Sequence, residues 1–70
     1  MSHSPQIVVN GEPQPWQDGT TLASLIEQLG LSGKRIAVEV NQDIIPRAQH
    51  DQHALCAGDQ VEIIQAIGGG

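Results

Sequence analysis

The sequence predicts an α+β fold with one helix laid across one face of a β-sheet, and three observations carry that prediction. An Asn10-Gly11 pair divides the β-branched run Ile7-Val8-Val9 from the arm Glu12 to Gln17. Leu22, Leu25, Ile26 and Leu29 recur at i, i+3, i+4 and i+7, which is one apolar face of a helix. Beyond it, Ile36, Val38 and Val40 alternate with Ala37 and Glu39, and Val61 to Ile67 form a last apolar segment. The order is hairpin, helix, short strand pair, irregular loop and final strand.

Each element has its own signal. Residues 1–6 read as a loose N-terminal tail, and the domain is expected over 7–67. Asn-Gly between apolar runs is a hairpin signal because both central residues of a type I′ turn need φ > 0. Pro13 and Pro15 lack an N–H donor, so the return arm is expected at a sheet edge. Asp18-Gly19 turns the chain, and Thr20 or Thr21 caps a helix of about ten residues. Gly30 stands where a left-handed residue ends a helix, with Leu31 placed to fold back onto Ile26. Asn41-Gln42-Asp43 turns the next strand into Ile44-Ile45, which Pro46 cuts short. Arg47 to Cys56 read as polar and irregular, and Ala57-Gly58-Asp59 turns into the final strand, where Glu62 should face away from the helix.

Size and charge exclude several functions. A chain of 70 residues without Phe or Tyr has material for one core layer between sheet and helix, not for a large enclosed substrate cavity. Independent catalysis is not expected. A net charge of −5 disfavours nucleic acid and an anionic membrane surface and favours a basic protein partner. No apolar run is long enough for a membrane span or a signal peptide, and a single cysteine fits a reducing compartment, so a cytoplasmic location is expected.

The remaining reactive residue types read as structural. Cys56 has no electropositive neighbour in sequence, so it is expected to be a small structural residue rather than a nucleophile. His50 and His53 lie three apart but lack the further ligands of a structural zinc site, and they are expected as solvated loop residues; no metal is expected. Trp16 is expected to cover one end of the core. In the last strand Val61, Ile63 and Ile67 share one parity and Ile64 and Ala66 the other, so both faces are apolar. Ile64, with Val8 and Ala37, is a candidate docking patch, and Arg47 is a further candidate contact.

The most informative feature is Gly68-Gly69-Gly70 directly after a strand. Glycines without side chains suit a tail threaded through a narrow tunnel, with the carboxylate of Gly70 presented at its end. A carboxylate can attack the α-phosphorus of ATP to form an acyl-adenylate that sulfur or nitrogen nucleophiles then open. A merely frayed end is the alternative.

Four segments, taken in order, carry a family resemblance: IVVNGEP, GTTLASLIEQLGL, VEVNQDIIPR and GDQVEIIQAIGGG. From Ile7 to Gly70 the chain resembles the ThiS family, sulfur carriers of thiamine biosynthesis with a β-grasp (ubiquitin-like) fold. That resemblance implies a mixed four- to five-stranded sheet under one helix. It implies that an E1-like enzyme of the ThiF type, consuming ATP, adenylates Gly70, with Gly68 and Gly69 as the threaded approach. A cysteine-derived persulfide supplies sulfur for a thiocarboxylate, and a thiazole synthase of the ThiG type receives it. No tightly bound cofactor is implied. The alternatives are the small subunit of molybdopterin synthase, a ubiquitin-like protein modifier, or a non-catalytic binding module with an inert tail. The absence of Phe and the VEVNQDIIPR segment favour the thiamine carrier among them.

Overall fold

The structure, a computed structural model, describes residues 5–65. Its elements are β1 (Gln6–Val9), β2 (Glu12–Pro15), α1 (Leu22–Gln28), β3 (Ile36–Val40), β4 (Asp43–Ile44), a 3-10 turn (Arg47–Gln49) and β5 (Gln60–Gln65). The five strands form one sheet in the order β2-β1-β5-β3-β4. All neighbours are antiparallel except β1 and β5, which run parallel. Helix α1 supplies the crossover side of that parallel pair.

Both hairpins turn through left-handed backbone. Asn10 and Gly11 have φ of 51° and 83°, the paired positive values of a type I′ turn, and Val9 faces Glu12 across it. Asn41 and Gln42 repeat the conformation at 52° and 74° without a glycine, joining Val40 to Asp43. The prolines of β2 sit as an edge strand requires. Val8 donates to Asp59, so Ile7 and Val9 direct their backbone groups at Gln14 and Glu12, and the nitrogens of Pro13 and Pro15 point outward.

Helix α1 is closed at both ends. Thr21 is its N-cap, and Thr21 Oγ1 accepts from the Ser24 N–H at 3.2 Å while Ser24 Oγ accepts from the Thr21 N–H at 3.0 Å. The next orphan donors go to the loop before β5: Leu22 donates to the His53 carbonyl and Ala23 to the His50 carbonyl. At the other end Leu31 donates to Ile26 and Gly30 to Glu27, with Gly30 at φ 73°, the expected left-handed stop. That stop leaves seven helical residues rather than about ten.

The core lies between α1 and one sheet face. Leu22, Leu25 and Ile26 meet Ile7, Val9, Val38, Val40, Val61 and Ile63, with Leu55 from the loop. Trp16 packs at the margin as expected, its indole N–H donating to the Leu55 carbonyl at 2.8 Å. Three expectations shift. Gln6 belongs to β1 rather than to a loose tail, because it pairs with Pro15. The last strand begins at Gln60, and Ala66 and Ile67 lie outside the described residues, as do Gly68, Gly69 and Gly70. His50 is not solvated: it is 7% exposed, and its Nε2 lies 3.0 Å from the Ile45 carbonyl, which can only accept, so Nε2 carries the hydrogen.

Candidate functional site

Strand β5 is the element that leads to the terminal glycines, and two asparagines hold it in register. β1 pairs with β5 only at Gln60 and Val61, then turns away at Asn10. The Ile63 N–H would next meet the Asn10 carbonyl of a continued ladder. It meets the Asn10 side chain instead, donating to Oδ1 at 2.8 Å. On the other side Asn41 Oδ1 accepts from the Gln60 N–H at 3.0 Å, and Asn41 Nδ2 donates to Asp59 Oδ1 at 3.0 Å. Asp59 Oδ2 also accepts from the Cys56 N–H at 2.8 Å, which fixes the turn into β5. Each turn asparagine therefore closes a hairpin and clamps the central strand.

The face of the sheet away from α1 carries a mixed surface. Val61 and Ile63 point into the core, so Glu62 and Ile64 point outward. Ile64 is 53% exposed and stands opposite Ala37, also exposed. Val8 and Pro13 share this face by register, with Val8 half-buried. Ile44, 71% exposed, adds an apolar group that sequence reasoning missed. It lies in one row with Glu39 and Glu62, since Glu39 faces both. Two carboxylates directly opposite each other repel, so this row is a local cost to the fold and a place where a cationic partner group gains.

Arg47 is elsewhere. It lines a cavity of about 40 Å³ with Ile26, Leu31, Gly33, Lys34, Ile36 and His50, on the helix side of the sheet. Ile64 and Arg47 therefore do not form one surface. Cys56 is exposed and free, in the turn that Asp59 holds. Among the described residues no group of three or more His, Cys, Asp or Glu side chains could hold a metal ion. A groove of about 200 Å³ beside β2 and α1 is lined by Ile7, Gln14, Pro15, Gln17, Thr20, Leu25 and Gln28, none of them ionisable. No helix among the described residues is long and apolar enough to cross a membrane.

The profile of the ThiS family matches residues 7–70. The chain belongs to the ThiS family. It is 38% identical over 65 residues to the sulfur carrier protein ThiS of Escherichia coli, a match covering 93% of this chain and 98% of that one. A stretch of the thiazole synthase of Paramagnetospirillum magneticum is 37% identical over 65 residues, covering 93% of this chain and 20% of that protein. The chain thus spans about a fifth of the thiazole synthases it matches, and nearly the whole of the ThiS relative. The crystal structure of the thiamine biosynthesis protein ThiS from Geobacter metallireducens superposes with a TM-score of 0.74 at 29% identity, covering 93% of this chain and 99% of that one. The five-stranded mixed sheet under one helix is the β-grasp fold of that ThiS structure.

Proposed function

We propose that the chain is a sulfur carrier for formation of the thiamine thiazole, a protein co-substrate rather than a catalyst. The observation that carries this reading is the ThiS match running to the end of the chain, through Gly68, Gly69 and Gly70. The carboxylate of Gly70 attacks the α-phosphorus of ATP on an E1-like adenylating enzyme, and pyrophosphate leaves. A cysteine-derived persulfide on the sulfur donor then attacks the acyl carbon and AMP leaves. A thiol cleaves the resulting acyl disulfide to free the thiocarboxylate. Gly68 and Gly69 form the approach, since a side chain at either would widen the segment that must enter the partner.

Thiazole synthase is the proposed recipient. Two proteins of that name, from Paramagnetospirillum magneticum and Magnetococcus marinus, contain a stretch similar to this chain, which supports carrier and synthase working together. Ile64, Ala37 and Ile44 form the proposed docking face, and the Glu39–Glu62 row favours a partner that brings a lysine or arginine to it. Arg47, on the opposite face, is left to a separate contact. The proposed setting is the cytoplasm, where ATP is available to the activating enzyme.

Exchange of labelled pyrophosphate into ATP tests the first step. With a ThiF-type enzyme the wild-type chain is expected to support exchange, and a chain lacking Gly70 or extended by one bulky residue to support none. Equal exchange with and without Gly70 would overturn the reading.

A further inference from the structure

β5 is flanked on both sides along only its first half. β3 follows it to the end, with Ile36 facing Gln65, whereas β1 leaves after Val61. The direction of the backbone groups follows from two bonds. The Gln60 carbonyl accepts from the Asn41 N–H at 2.7 Å, toward β3, and the Val61 carbonyl accepts from the Asn10 N–H at 2.9 Å, toward β1. Alternation then turns Glu62 and Ile64 toward β3, and Ile63 and Gln65 toward the lane that β1 has left. The Ile63 N–H is taken by Asn10. The Ile63 carbonyl and both backbone groups of Gln65 have no hydrogen-bond partner in that lane among the described residues.

The outer edges of the sheet are blunted against added strands and this inner half-edge is not. β2 turns the nitrogens of Pro13 and Pro15 outward, and β4 is two residues long with Pro46 soon after it. Among the described residues there is neither a proline nor a covering element beside Ile63 and Gln65, and in sequence the strand is followed by the residues ending in Gly70. Five residues separate Gln65 from the chain end, a reach of at most about 18 Å. An enzyme that takes Gly70 into its site must therefore bring its surface within about 18 Å of the half-edge.

We propose that an extended segment of the adenylating enzyme adds as a strand to this half-edge of β5, bonding to the Ile63 carbonyl and the Gln65 backbone and so holding the approach to Gly70 extended. Main-chain bonds supply the affinity in this mode, and exposed Ile64, beside the lane, supplies a side-chain contact on one face. The inference rests on the carrier reading above.

Gln65→Pro tests it, because it deletes one N–H from the lane and leaves the bonds to β3 in place; Gln65→Ala keeps that N–H. The expected result is pyrophosphate exchange about tenfold slower for Gln65→Pro, the loss of one main-chain bond, and within about twofold of wild type for Gln65→Ala. Equal rates for wild type and a folded Gln65→Pro chain, or equal losses in both variants, would overturn it. If Gln65→Pro does not fold, hydrogen exchange of the wild-type Gln65 amide decides: it slows in the complex with the adenylating enzyme or the inference is wrong. Slowing with thiazole synthase alone would also overturn it. A wild-type chain that supports no pyrophosphate exchange at all would instead remove the carrier reading beneath it.

Discussion

The two faces of the sheet are made from the same strands and do opposite things. On the helix side Ile7, Val9, Val38, Val40, Val61 and Ile63 are each at most 8% exposed, sealed by Leu22, Leu25 and Ile26. On the other side Ile64 and Ile44 stand in water beside two opposed carboxylates. A 70-residue chain has little stability to spare, so apolar groups and like charges left on one face are not explained by folding. The difference teaches that stability resides on the helix side, and it is the reason the open face is the one proposed for docking.

The sharpest break of that comparison is Leu25→Ala on the sealed side. It is expected to cost about 2–5 kcal/mol through lost burial and a cavity, read as a lower urea midpoint, with partner affinity of the folded fraction unchanged. Asn10→Ala comes next at about 1–3 kcal/mol. It removes the acceptor of the Ile63 N–H and places at φ 51° an alanine, which lacks the polar side chain that lets asparagine adopt left-handed backbone. Its loss should exceed that of Asn41→Ala, because the bond from buried Ile63 to Asn10 is partly shielded from water and the bonds of Asn41 to Gln60 and Asp59 are exposed. Ile64→Lys inverts the pattern: a midpoint within about 0.5 kcal/mol of wild type, and binding to the adenylating enzyme weakened tenfold or more by titration. The smallest effect is Glu39→Gln, a gain of a few tenths of a kcal/mol as the repulsion across to Glu62 is relieved. A loss of stability there would mean that the carboxylate row is not a cost.

Much of this division was legible in the sequence, and the reason is periodicity. Ile7 and Val9, the helix stripe, and Val38 and Val40 each follow the period of their element, and Asn10-Gly11 and Gly30 mark backbone that only a few residue types adopt cheaply. Ile64 was legible as an outward residue for the same reason. Ile44 was not, since a two-residue strand has no period and its facing is set by the turn at Asn41 and Gln42. The burial of His50 was hidden because it depends on a carbonyl five residues earlier and on the N-terminus of α1, contacts that no local pattern encodes. Arg47 reads in the sequence as a further candidate contact, and only the path of the chain after β4 puts it on a different face from Ile64. The open half-edge of β5 was likewise invisible, because it exists only where β1 ends before its neighbour does.

The most direct test of the carrier account is the intact mass of the chain after incubation with ATP, a ThiF-type enzyme and a cysteine-fed persulfide donor. The account predicts a gain equal to the exchange of one oxygen for one sulfur, located at Gly70 and absent when Gly70 is deleted. An unchanged mass with an enzyme shown to be active on another ThiS protein would contradict it.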